Sequence, residues 1–126
     1  MMRISQRKLV LKVSLKGKRF RVSEDAFIDT GASFSVVPPE IADYLELEVD
    51  KGFPRARLVT ASGVIETSVM IVPELHVAGF EVERLRVVIH KIPDPAPVKV
   101  LLGMNFIEKT NLEIDGKNGL FEIRDP

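Results

Sequence analysis

Residues 27–33 read "FIDTGAS": an aspartate, Asp29, closes a hydrophobic run and is followed by Thr30, Gly31, Ala32 and Ser33. A carboxylate driven toward apolar surroundings is costly unless neighbouring groups hydrogen-bond it or share its charge. The acid is therefore expected to be buried, with something elsewhere in the chain that makes the placement worthwhile.

Outward from this stretch the chain alternates. Leu9, Leu11, Val13 and Leu15 share one face and Lys8, Lys12, Ser14 and Lys16 the other, Gly17 offers a turn, and Phe20 and Val22 resume the apolar face. That pattern predicts a hairpin with one buried side, and Ala26 to Asp29 reads as a separate short buried strand. Downstream, Pro38-Pro39-Glu40 opens a short helix over 39–47, with Ile41 and Leu45 inward and Tyr44 a further inner-face candidate. Residues 56–60 and 64–72 are two strands around Ala61-Ser62-Gly63, and a turn at Ala78-Gly79 leads into an alternating strand over 81–89.

"IPDPAPV" (92–98) holds three prolines, which lack amide donors, and reads as a stiff surface loop. "VLLG" (100–103) is a buried strand ending at glycine, then a short helix over 104–109 and a hairpin, 112–115 and 120–124, turned by "GKNG". In that last strand Phe121 and Ile123 form an apolar side in need of a cover. The expectation is one mostly β (all-β) domain over residues 1–126 with one or two short helices.

The chain has 126 residues, with 18 acids against 18 bases and no cysteine. Disulfides, thiolate zinc sites and cysteine nucleophiles are thereby excluded. The charge balance gives no reason to expect nucleic acid or an anionic membrane as partner. Eight bases precede the first acid, Glu24. They read as the solvated face of the first hairpin, the other reading being a basic arm for an acidic partner. No apolar run approaches the ~20 residues of a membrane span, and the N-terminus lacks the apolar block of a signal peptide, so a cytoplasmic protein is expected.

Phosphate-binding glycine loops are absent, and "GASFS" lacks the second glycine of a nucleophile elbow. His76 and His90 stand far apart in sequence with no spaced carboxylate motif, so they read as exposed strand histidines, with no metal or cofactor expected. What remains is "FIDTGAS" with "SVVP" shortly after it, "LLGMNFI" some seventy residues on, and the glycine-tipped hairpin "RLVTASGVIETSV" between them. This set resembles the single-domain retroviral-type aspartic proteases, the retropepsins and their cellular and bacterial relatives. The resemblance covers roughly residues 20–124, with three elements in the family's order.

The resemblance implies a closed barrel-like acid-protease lobe carrying one catalytic Asp per chain. Asp29 would be half of a carboxyl pair that activates water, Thr30 would reach across to its mate by a hydroxyl bond, and Gly31 would let an amide approach the carboxylate. Gly103 would leave room for crossing chains behind the loop. The other aspartates are not followed by Thr-Gly or Ser-Gly, so the pair would be completed by a second copy in a homodimer. A peptide or protein substrate would lie beneath a flap tipped by Ala61, Ser62 and Gly63. Ala32, Val36, the loop reaching Val98, and Val100 or Leu101 would bind it, ordinary packing being an equal reading for each pocket residue. The alternative is a catalytically silent module of the same fold used for binding or dimerisation. Three departures bear on the dimer interface and the flap: Met104 stands where many viral enzymes have an arginine, the flap tip has a single glycine, and the N-terminal hairpin is longer than in compact viral forms.

Overall fold

Alternating side chains and tight turns set the strands. The computed structural model describes residues 1–53, 55–60, 63–92 and 98–125, position 60 by its backbone alone. In chain order the elements are β1 (Met2–Arg3), β2 (Leu9–Lys16), β3 (Arg21–Ile28), β4 (Ser35–Val37), α1 (Pro39–Tyr44), β5 (Glu48–Val49) and β6 (Arg55–Thr60). They continue with β7 (Gly63–Val77), β8 (Phe80–Ile89), β9 (Val100–Leu102), α2 (Met104–Ile107), β10 (Asn111–Asp115) and β11 (Leu120–Arg124).

Six strands close on themselves. The order β2-β3-β9-β4-β8-β7 returns to β2 through the pairing of Leu15 with Leu75, giving a barrel with no open edge within the ring. β5 and β6 both hang on β7, so β6 and the first half of β7 project as a two-stranded hairpin. A three-stranded sheet, β1-β11-β10, lies beside the barrel. Among the described residues no helix is long and apolar enough to cross a membrane.

The main core fills the barrel with Val13, Leu15, Leu75, Leu85 and Leu102, capped by Leu45 after α1, Phe106 of α2 and Phe121 of β11. A second, smaller cluster of Val36, Ala56, Val69 and Val88 sits where the β6–β7 hairpin leaves the barrel, with Phe34, Leu58 and Leu101 packed on it. Burying side chains of this size is worth roughly 1.5–3 kcal/mol each.

Several expectations change. Ala26–Ile28 is not a separate strand but the end of β3, because nothing between Arg21 and Ile28 breaks the strand, and Asp29 stands just past its end. Tyr44 faces outward and rests on Phe20, ring centroids 5.3 Å apart. Pro73 does not end β7: it falls at a gap in the β7–β8 ladder, where Val72 pairs with Leu85 and Glu74 with Glu83, so its missing amide donor costs no rung. Arg84 on the other side of the gap takes φ +52, a local irregularity that realigns the inward residues. Both helices are shorter than their patterns suggested. Phe121 and Ile123 need no cover from elsewhere, being buried in the chain's own core, and β11 is paired on both sides. The basic run lies along the first hairpin, where Lys12, Lys16, Lys18 and Arg19 pair with Asp25, Glu74, Glu48 and Glu46, as expected of a solvated face. Exposed pairs of this kind contribute little each.

Candidate active site

β3 and β9 run parallel, with Ile28 beside Leu102, and their exits cross. The Asp29 amide donates to Leu102 O at 2.9 Å, which fixes the point where the chain leaves the barrel wall. The loop then turns so that the Gly31 amide donates to Asp29 Oδ1 at 2.8 Å. A Cβ at Gly31 would stand 3.2 Å from that same oxygen, tight enough to disturb it. Asp29 itself is exposed, as are Thr30 and Gly31. The expectation of a buried acid is corrected for the single chain: the loop crest is exposed, and among the described residues the carboxylate is held by the Gly31 amide.

Behind the crest, Gly103 passes under the loop. A Cβ there would lie 2.4 Å from Phe34 O and 2.7 Å from Ala32 O, distances no side chain tolerates. The close approach lets the Met104 amide donate to Ala32 O at 2.7 Å and the Asn105 amide to Ser33 O at 3.1 Å. The first turn of α2 is thus stitched to the loop through backbone alone.

Two side chains that sequence reasoning passed over lock the crossing. Ser35, fully buried, accepts the Gly103 amide on Oγ at 3.1 Å. Its own hydroxyl and amide both donate to Asn105 Oδ1 at 2.9 Å. The Asn105 amide group in turn donates to Arg86 O at 2.7 Å, tying the loop to β8. The signal was present: a serine inside the apolar run "SVV" has to find partners when buried. Asn105→Ala will strand the Ser35 amide and destabilise the protein by about 2–3 kcal/mol. Asn105→Asp keeps the acceptor for Ser35 but sets a carboxylate oxygen against Arg86 O, where the amide donates at 2.7 Å, so it too destabilises, by about 1–2 kcal/mol. Urea unfolding of the two variants checks the order.

In front of the crest lies a cavity of about 530 Å³. Its floor is the small apolar cluster, with Val36, Val88 and Leu101, and its roof is β6, with Arg57, Leu58 and Val59; Asp29, Gly31 and Ala32 stand at one end and His90 also reaches it. Phe34 forms a side wall held edge-on by Phe53 at 5.4 Å, and the Arg86 guanidinium lies 5.9 Å from the Phe53 ring. Arg86 Nε also donates to Asp50 Oδ2 at 2.6 Å. The Asp50 carboxyl is held below the usual carboxylate range, chiefly by that bond and against an opposing push from burial, with the Gly52 amide helping.

Of the residues singled out in the sequence, Asp29, Gly31, Ala32, Val36 and Leu101 border this cavity. Val100 does not: it alternates to the opposite face of β9 and is buried in the main core. Val98 is buried without bordering the cavity, and Gly63 lies beyond it. Ala61, Ser62 and most of the proline-rich loop lie outside the described residues. His90 is a cavity residue and not simply a strand histidine on the surface. His76 is brought beside Glu74 and Glu81, with donor atoms within 4.8 Å of one another; this is the set that could hold a divalent cation, and it does not border the Asp29 cavity.

A family model described as Aspartyl protease matches residues 11–106. No curated protein matches. Among solved structures, the crystal structure of a retropepsin-like aspartic protease from Rickettsia conorii superposes with a TM-score of 0.63 over 98% of this chain and 86% of that one, at 16% identity. At that identity the likeness is one of fold. The family match spans the Asp29 loop, the projecting hairpin and the Gly103 crossing together, and the chain belongs to the aspartyl protease family, with a retropepsin-like fold.

Proposed function

We propose that this chain is an aspartic endopeptidase whose catalytic pair is made of Asp29 from each of two copies. The observation that carries the reading is the half-site: an exposed carboxylate, gripped by the Gly31 amide at 2.8 Å, is the sole acid bordering the cavity among the described residues. A second such crest placed against the first by a twofold axis would set the two carboxyls side by side. There they would share one proton, since like charges so close cannot both ionise.

The charged member takes a proton from a water held between them, and the water oxygen attacks the peptide carbonyl carbon. The protonated member donates to the carbonyl oxygen. On collapse the now charged member takes back one hydroxyl proton of the intermediate, the C–N bond breaks, and the departing amine takes up the proton that the first member had drawn from water. Thr30, exposed beside Asp29, is suited to steady the partner loop. The β6–β7 hairpin acts as the flap, and an extended peptide lies between it and the cavity floor as an added strand, its side chains dropping alternately into pockets.

The test is hydrolysis of a peptide mixture by the purified chain, with and without a peptide-like mimic carrying a hydroxyl in place of the scissile carbonyl. Cleavage at internal bonds, blocked by the mimic, is expected. Cleavage that ignores it, or none at all, overturns the assignment and leaves the silent binding module.

A further inference from the structure

We propose a divalent-cation site on the outer wall of the barrel, away from the Asp29 cavity, with His76, Glu74 and Glu81 as ligands and zinc as the metal. Leu75 and Val77 are buried in the core, so alternation along β7 turns Glu74 and His76 outward together. Register then builds a row across three strands. Ser14 of β2 lies opposite His76 on one side, and Glu81 of β8 lies opposite it on the other. The donor atoms of Glu74, His76 and Glu81 come within 4.8 Å of one another.

Two further observations point from this row to a ligand. His76 Nε2 and Ser14 Oγ are both closed off from bulk water, and neither has a hydrogen-bond partner among the described residues. Nε2 stands 3.4 Å from Glu74 Oε1, but without the alignment of a hydrogen bond. Polar atoms sealed in this way are costly, and a bound ion is one of the few things that accounts for them. The Glu74 carboxyl is also divided between two neighbours: Oε2 faces Lys16 Nζ at 3.6 Å, while Oε1 faces His76. Lys16 braces the carboxylate and leaves one oxygen turned toward the imidazole.

One imidazole nitrogen and two carboxylate oxygens suit zinc with a water in the fourth position. Calcium and magnesium ask for more oxygens and no nitrogen. Tetrahedral zinc with bonds of about 2.0–2.2 Å sets its ligands roughly 3.4 Å apart. His76 and Glu74 already stand at that spacing. Glu81 is exposed, and a change of its side-chain torsions closes the remaining gap. A cation there also reverses the repulsion between the two carboxylates, and its bound water would give Ser14 Oγ the partner it lacks. The site lies on the half of β7 that stays in the barrel wall, so binding would pin β7 to β8 and leave the cavity alone.

The experiment uses the full chain, stripped with a chelator, dialysed and titrated with zinc chloride by calorimetry and by thermal unfolding. One zinc per chain is expected with a micromolar Kd, and Tm should rise by about 5–10 °C at a hundredfold excess over Kd. His76→Ala should weaken binding by about 100-fold or more and Glu81→Gln by about tenfold, while His90→Ala keeps wild-type affinity. Cobalt(II) in place of zinc should give the visible absorption of a tetrahedral site, lost in His76→Ala. Glu81 is exposed, so Glu81→Gln will fold and tests the site even if His76→Ala does not. A wild-type Kd above about 1 mM, zinc affinity unchanged in Glu81→Gln or His76→Ala, or affinity lost in His90→Ala overturns the inference. None of these outcomes touches the protease reading, which stands on peptide hydrolysis.

Discussion

Asparagine at position 29 will abolish peptide hydrolysis and leave the fold untouched. The amide is nearly the same size as the carboxyl, and its oxygen can still accept the Gly31 amide that now reaches Asp29 Oδ1 at 2.8 Å. Because the residue is exposed in the single chain, its neutralisation should move stability by less than about 0.5 kcal/mol. What is lost is the group that takes a proton from water. Removing such a group typically costs about 10⁴-fold or more in kcat. The check pairs a sensitive peptide assay with thermal unfolding of the same sample. Hydrolysis within about tenfold of wild type would remove Asp29 from the mechanism.

Gly103→Ala will have the largest effect on stability. Its new Cβ would meet Phe34 O at 2.4 Å and Ala32 O at 2.7 Å, both backbone atoms of the Asp29 loop. Neither can swing aside as a side-chain end would. Relief requires β9 and the loop to separate, which breaks the bonds from Met104 to Ala32 O and from Asn105 to Ser33 O and loosens the hold of Ser35 on the Gly103 amide. Strain and lost bonds together should cost about 3 kcal/mol or more, on the order of a 10 °C fall in Tm for a domain of this size. Gly31→Ala makes a telling contrast. Its Cβ meets only Asp29 Oδ1, at 3.2 Å, so it should spare stability and lower turnover. Calorimetry and peptide kinetics on both variants separate the two effects.

Much of this was readable in the residues. Strict alternation in the first hairpin and glycine at the ends of "DTG" and "VLLG" carry local rules that tertiary packing does not overturn. Where reading failed, the missing information was non-local. "VLLG" is apolar throughout, so nothing in it says that Leu101 faces the cavity and Val100 the core; that follows from β9 lying between β3 and β4. The strand over 64–72 was read too short because the ladder gap that accommodates Pro73 depends on Arg84, eleven residues away in sequence. Ser35 and Asn105 are ordinary polar residues until a 70-residue separation is closed. Asp29 was taken as buried because its neighbours in sequence are apolar, whereas the loop carries it out of the barrel wall.

The central claim is that two chains share one active site, and mixing tests it most directly. Wild type and Asp29→Asn are unfolded together, refolded at varied ratios and constant total concentration, and assayed. If each active unit needs Asp29 from both copies, mixed pairs are dead and activity falls as the square of the wild-type fraction, so an equal mixture retains about one quarter. A linear fall, with half the activity remaining at equal proportions under conditions where the subunits demonstrably mix, would show that each chain works alone and contradict the account.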